Sequence, residues 1–130
     1  MVVLDASAAV EWLMRTPTGS RVVHRIVGRD EVVHVPQLFK LEVAQVLRRH
    51  LMVGLTDPAR AQDAIRDLID MRVVNYAHQP FLWRVWELRH NLTAYDAAYV
   101  ALAEELDAPL ITCDARIASA SGHHARVELI

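Results

Sequence analysis

Four carboxylates in this chain stand where a buried strand end or an inward helix face is expected. They are Asp5 closing the apolar run of VVLDASAAV, Glu42 in FKLEVAQVL, Asp96 in TAYDAAYVAL and Asp114 directly after LIT. The other acids lie in polar surroundings, as Asp63, Asp67 and Asp70 do on one helix and Glu104 and Glu105 on another, and read as solvated charges. An ionised carboxylate is rarely buried unless it is paired or binds a metal, because removing it from water costs several kcal/mol. Singly, each of the four has a structural explanation: Asp5 and Asp114 as helix caps, Glu42 as the partner of an arginine. Together, acids converging on one crevice repel one another unless a cation holds them. Oxygen donors without Cys or His select a hard divalent ion, Mg²⁺ or Mn²⁺, of the kind commonly shared with a phosphate substrate. Such an ion acidifies water and neutralises charge on a phosphodiester, so the indicated chemistry is phosphodiester hydrolysis.

The elements that must position these acids follow from hydrophobic spacing. Val2 to Leu4 are apolar on both faces, the mark of a parallel strand covered by helices on both sides, and SAAVEWLM then reads as a helix with Ser7 as its cap. PTGSRVVHRIVGR supplies a second helix with Val22, Val23, Ile26 and Val27 as its stripe, and EVVHV a strand ending at Pro36. A helix runs from Pro36 to about Gly54, and TDPARAQDAIRDLIDM opens with Asp57 as N-cap and Pro58 at the first helical position. Strand RVVNYA, helix QPFLWRVWELRH and helix LTAYDAAYVALAEEL come next. Strand LIT, a polar stretch CDARIASASGHH and a last strand RVELI close the chain.

This alternation predicts an α/β doubly wound sheet, mostly parallel, of about four or five strands, with residues 1–130 forming one domain. In such sheets the functional crevice lies at the carboxyl ends of the strands, where Asp5 and Asp114 fall. Helical spacing sets Glu42 beside Leu38, Phe39, Gln45 and Val46, and Asp96 beside Leu92, Thr93, Tyr99 and Val100, so both acids ride inward faces.

Composition narrows the function classes. A hydrophobic share of 53% and a charged share of 23% are those of a globular protein, and a formal net charge of -2 excludes a generally basic nucleic-acid binder. Lys40 is the only lysine; arginine, whose planar fork suits phosphate, supplies the other cations. The lone Cys113 rules out an intrachain disulfide, and Asp5 and Glu11 in the first apolar stretch argue against a leader or membrane span, so a cytoplasmic location is expected.

VVLDASAAVEWL, VPQLFKLEVAQVLRR and LTAYDAAYVALAEELDAPLITCDARIA together resemble the PIN-domain ribonucleases. Within them the likeness is strongest to the VapC-type toxins of bacterial toxin-antitoxin pairs. The resemblance spans nearly the whole chain and implies a three-layer α/β/α fold and Mg²⁺- or Mn²⁺-dependent cleavage of single-stranded RNA. The family's carboxylate ligands fall on Asp5, Glu42, Asp96 and Asp114. Ser7 and Thr112 match hydroxyls that would hold ligands or water in place. Lys40 and Arg116 flank acidic positions, where they could contact phosphate, although exposed charge is the plainer reading. The family further implies a homodimer and a cognate VapB-type antitoxin.

Other constellations carry less. His123 and His124 lack the companions of a metal site and read as surface or loop histidines. Trp83 and Trp86, three apart on a helix, read as core or dimer-interface packing rather than a base-stacking platform. A phospho-acceptor receiver domain would want adjacent acids after the first strand and a late lysine. A catalytically inactive PIN-like module would want an acid missing, and none is. A housekeeping RNA-processing nuclease remains the alternative to a toxin.

Overall fold

Strand β1 (Val2–Leu4) lies at the centre of a five-stranded sheet that also holds β2 (Val33–Pro36), β3 (Val74–Tyr76), β4 (Leu110–Thr112) and β5 (Val127–Leu129). The computed structural model describes residues 1–130 and orders the strands β3-β2-β1-β4-β5, every neighbouring pair parallel. Helices α1 (Ala6–Leu13) and α2 (Pro17–Val27) lead from β1 to β2, and α3 (Phe39–Met52) and α4 (Pro58–Asp70) from β2 to β3. The chain then returns through a 3-10 turn (Gln79–Phe81), α5 (Leu82–Glu87) and α6 (Ala94–Glu105) to β4, and α7 (Ala115–Ser119) leads to β5. Right-handed crossovers that reverse direction at β1 put α1 to α4 over one face of the sheet and α5 to α7 over the other. The result is a three-layer α/β/α sandwich whose topological switch point lies between β1 and its neighbours.

Burial explains the length of the strands. Val2, Val3 and Leu4 are fully inaccessible, as are Leu110 and Ile111 beside them, so three residues per strand suffice to anchor the crevice. Helix α6 is apolar nearly all round and is buried without interruption from Ala97 to Ala103. It crosses β1, β2 and β4, and its alanines allow close approach to the sheet.

Several local readings change in the structure. Helix α1 begins at Ala6 and its N-cap is Asp5 rather than Ser7, because Asp5 is extended and its carboxylate accepts the Ser7 N–H at 3.3 Å. QPFLWRVWELRH divides into the 3-10 turn, which contains Pro80, and the short α5. The polar stretch before β5 holds α7, capped by Asp114 through the Arg116 N–H. Asp57 and Pro58 open α4 as expected, and Gly54, at a φ of 76°, follows α3 in the left-handed region. Trp83 and Trp86 are 82% and 60% exposed, which removes the core reading; Arg89 lies over the Trp86 ring.

Helix α2 is held tightly against α1 by Gly19, where a Cβ would sit 1.9 Å from the Glu11 carbonyl oxygen. Gly19→Ala is therefore expected to cost about 1–3 kcal/mol in denaturant unfolding, the range of overpacked sites. A midpoint equal to that of the unaltered chain would show that the two helices separate freely.

Candidate active site

At the end of β1, the Asp5 carboxylate is 3% exposed. Its Oδ2 accepts the Ser7 N–H, the Ser7 hydroxyl in a short bond, and the Thr112 hydroxyl at 2.8 Å. The same hydroxyls accept from the loop after β4: Cys113 N–H donates to Ser7 Oγ and Asp114 N–H to Thr112 Oγ1, both at 3.0 Å. Two adjacent parallel strands are thus joined at their carboxyl ends through one carboxylate oxygen, which leaves Oδ1 for a further partner. Burial nevertheless pushes the Asp5 carboxyl above the usual range, and these hydrogen bonds only partly oppose it.

Glu42 and Asp96 come from opposite helical layers. Burial raises the Glu42 carboxyl, the charges of Asp5 and Asp96 raise it further, and a bond from Tyr99 and the charge of Arg49 oppose the shift. Burial also raises Asp96, followed by the charge of Asp5 and, less strongly, that of Asp114. Asp114 behaves in the opposite sense: the Arg116 guanidinium, 2.6 Å away, holds it below the usual carboxylate range. The four acids named from the sequence therefore share one electrostatic field at the carboxyl ends of β1 and β4.

No three acidic, histidine or cysteine side chains close into a ready-made metal cage. The donor set nonetheless fits a hard divalent cation. It is all oxygen, and three of its members are disfavoured as anions by burial, Glu42 and Asp96 also by neighbouring acids, which a cation would reverse.

The remaining expected residues divide. Ser7 and Thr112 both lie on Asp5, and Arg116 lies on Asp114. Lys40 turns elsewhere, its Nζ donating to the Ile69 carbonyl near the end of α4 at 3.0 Å. One residue was not singled out from the sequence. Tyr99, fully buried on α6, donates its hydroxyl to Glu42 Oε2 at 2.7 Å. Its place one turn after Asp96 was visible, but the contact spans 57 residues and no local spacing reveals it.

Residues 2–122 match the family model for the PIN domain. The chain belongs to the PIN-domain family. Within it, this PIN-domain protein is 42% identical over 130 residues to ribonuclease VapC12 of Mycobacterium tuberculosis (strain ATCC 25618 / H37Rv), covering 100% of this chain and 99% of that one. It is 39% identical over 132 residues to ribonuclease VapC1 of the same strain, covering 98% and 96%. The PIN fold is shared with the crystal structure of PAE2754 from Pyrobaculum aerophilum, at a TM-score of 0.66 and 23% identity over 89% of this chain and 76% of that one. It is shared also with VapBC2 from Rickettsia felis, solved bound to a DNA fragment from their promoter, at a TM-score of 0.68 and 12% identity over 99% and 98%. The resemblance to VapC-type PIN domains drawn from the three sequence segments is borne out.

Two outcomes follow from the site's electrostatics. A carboxyl whose pKa is raised on folding stabilises the fold only while protonated, so its contribution is complete below the ordinary carboxylate pKa of about 4 and is lost as pH rises through the raised value. In chelator, Asp96→Asn should melt above the unaltered protein at pH 7.5, with the gap closing towards pH 4, and added Mg²⁺ should raise the unaltered protein more. A gap independent of pH would contradict the shared field. Tyr99→Phe keeps the ring and removes the bond to Glu42, so Mn²⁺ affinity by calorimetry should fall about 10–100-fold, the usual loss for a partner that orients a ligand. Unchanged affinity would confine Tyr99 to packing.

Proposed function

We propose that this chain is the toxin of a toxin-antitoxin pair, a metal-dependent endoribonuclease that hydrolyses RNA phosphodiester bonds, with residues 1–130 forming a single PIN domain. The observation that carries this reading is the coincidence of full-length similarity to VapC ribonucleases with four acids in one field at the switch point of the sheet. Asp5, Glu42, Asp96 and Asp114 would hold Mg²⁺, with Mn²⁺ as a substitute. When bound there, the ion supplies charge neutralisation at the phosphodiester and lowers the pKa of water for in-line attack, leaving a 5′-phosphate.

The chain's own residues supply position. Ser7 and Thr112 fix one oxygen of Asp5, Tyr99 fixes one oxygen of Glu42, and the Thr93 cap sets the helix start that carries Asp96. Arg116, 85% exposed in its side chain, is bound to Asp114 and is placed to exchange that carboxylate for a substrate phosphate. The site offers no obvious dedicated general base. Partners of the same reading are a VapB-type antitoxin, as in the Rickettsia felis pair, and a second copy of the chain in a homodimer. A cytoplasmic location belongs to it too; no helix is long and apolar enough to cross a membrane.

The direct test is cleavage of total RNA by purified protein in Mg²⁺. Asp5→Asn and Asp96→Asn should each lower the rate about a hundredfold or more, the scale of losing a group that stabilises transition-state charge, and keep a folded melting transition. Cleavage at the unaltered rate in both variants would remove the assigned site.

A further inference from the structure

Asp114 is the one crevice acid bonded to an arginine, and its two oxygens are held differently. Oδ1 accepts the Arg116 N–H at 2.8 Å, which caps α7, and has Arg116 Nε at 3.1 Å. Oδ2 has the guanidinium as its only partner, through Nη2 at 2.6 Å and Nε at 3.2 Å. A divalent cation that takes Oδ2 therefore displaces the guanidinium and leaves the cap, and with it the start of α7, in place.

This pair is unlike the chain's other arginine pairs. Arg25 and Arg84 are themselves partly buried, and where the arginine is open, at Arg15, Arg66 and Arg126, its acid is open too. Only Arg116 sets an 85% exposed side chain on an acid that is 20% exposed. Leaving Asp114 costs the guanidinium neither burial nor a second partner. Its charge also reaches Asp96, where it opposes the rise that burial and the charge of Asp5 impose. One guanidinium thus answers two of the crevice acids, the work assigned above to a divalent ion. A single positive charge on one carboxylate yields to a divalent ion that several oxygens can contact at once.

We propose that Arg116 is a placeholder for the metal: it occupies Asp114 until a divalent cation enters, and its displaced guanidinium then binds a backbone phosphate of the RNA beside the scissile bond. This rests on the reading of the acids as an RNA-cleaving site. Anchored two residues from a candidate ligand, the released arginine stays at the rim of the crevice, and its fork matches two phosphate oxygens. Without the cation, RNA meets open acids and an arginine already engaged, so it is repelled. Metal binding and RNA binding are thereby coupled, and linkage makes the coupling mutual. The competing reading is a permanent structural pair, which survives metal binding unchanged.

The test begins with Mg²⁺ titration of the isotopically labelled full chain, followed by proton–nitrogen NMR at the Arg116 Nε–H, which is assigned by its loss in Arg116→Lys. The resonance should move to the position of solvated arginines in step with Mg²⁺ binding measured by calorimetry. Arg116→Ala removes a competitor held by an exposed pair, so Mn²⁺ should bind about threefold more tightly. With a short labelled single-stranded RNA in saturating Mg²⁺, Arg116→Ala should raise KM about tenfold and make the slope of log kcat/KM against log salt shallower by about 0.7, one single-strand phosphate contact. Arg116→Lys keeps the charge and should keep the slope. A resonance that stays in place while the metal binds, or Mn²⁺ affinity unchanged or weaker in Arg116→Ala, overturns the release. KM and salt slope unchanged in Arg116→Ala overturn the phosphate contact. If Mg²⁺ frees the arginine but the unaltered protein cleaves no RNA, the RNA reading falls with the phosphate contact and the release stands. If the chain binds no divalent cation, the reading of the acids falls and takes the release with it.

Discussion

The Asp5 carboxylate, almost sealed from solvent at the end of the central strand, is the constraint on which the rest of the crevice depends. An anion there needs donors, and they come from the first turn of α1 and from β4 across 107 residues of sequence. Because Ser7 and Thr112 also receive the backbone N–H groups of Cys113 and Asp114, the loop carrying the fourth acid is set by the same two hydroxyls that hold the first. Cap, strand pairing and candidate ligand are one network. The cap explanation for Asp5 and Asp114 is correct and coexists with the proposed chemical role.

What separates these acids from others that are buried is the absence of a matching cation. Glu104 is a useful contrast: its side chain is only 6% exposed, so it is no solvated charge, as its polar sequence neighbours suggested. Burial pushes its carboxyl up, yet the Arg84 bonds at 2.7 and 2.9 Å and the His124 N–H bring it below the usual range. Arg25 likewise forms ion pairs with Glu31 and Glu128. In the crevice only Asp114 is bonded to an arginine, while burial raises Asp5, Glu42 and Asp96 and the charge of Asp5 raises the other two further. A site whose charges are left open in a protein that closes them elsewhere supports the proposed binding of a cation.

Much of this was legible in the sequence because it is local. Apolar triplets gave the buried strands, Asp57 with Pro58 gave the start of α4, and acids at strand ends and on inward helix faces gave the candidate site. What was not legible depends on contacts between distant segments. The bond from Tyr99 to Glu42 joins the two helical layers, the Lys40 bond to Ile69 draws the only lysine away from the acids, and Trp83 and Trp86 on the short α5 face solvent. Periodicity assigns a face to a residue but does not say which other element that face meets.

The central claim is that the four carboxylates gather one hard cation between β1, β4 and the two helical layers. The most direct measurement is anomalous diffraction from crystals of the protein grown with Mn²⁺. The account predicts a manganese peak in contact with Asp5, Glu42, Asp96 and Asp114, directly or through ordered water, and its loss in Asp5→Asn. A peak elsewhere on the protein, or no peak at the acids in crystals of a preparation that cleaves RNA with Mn²⁺, would contradict it.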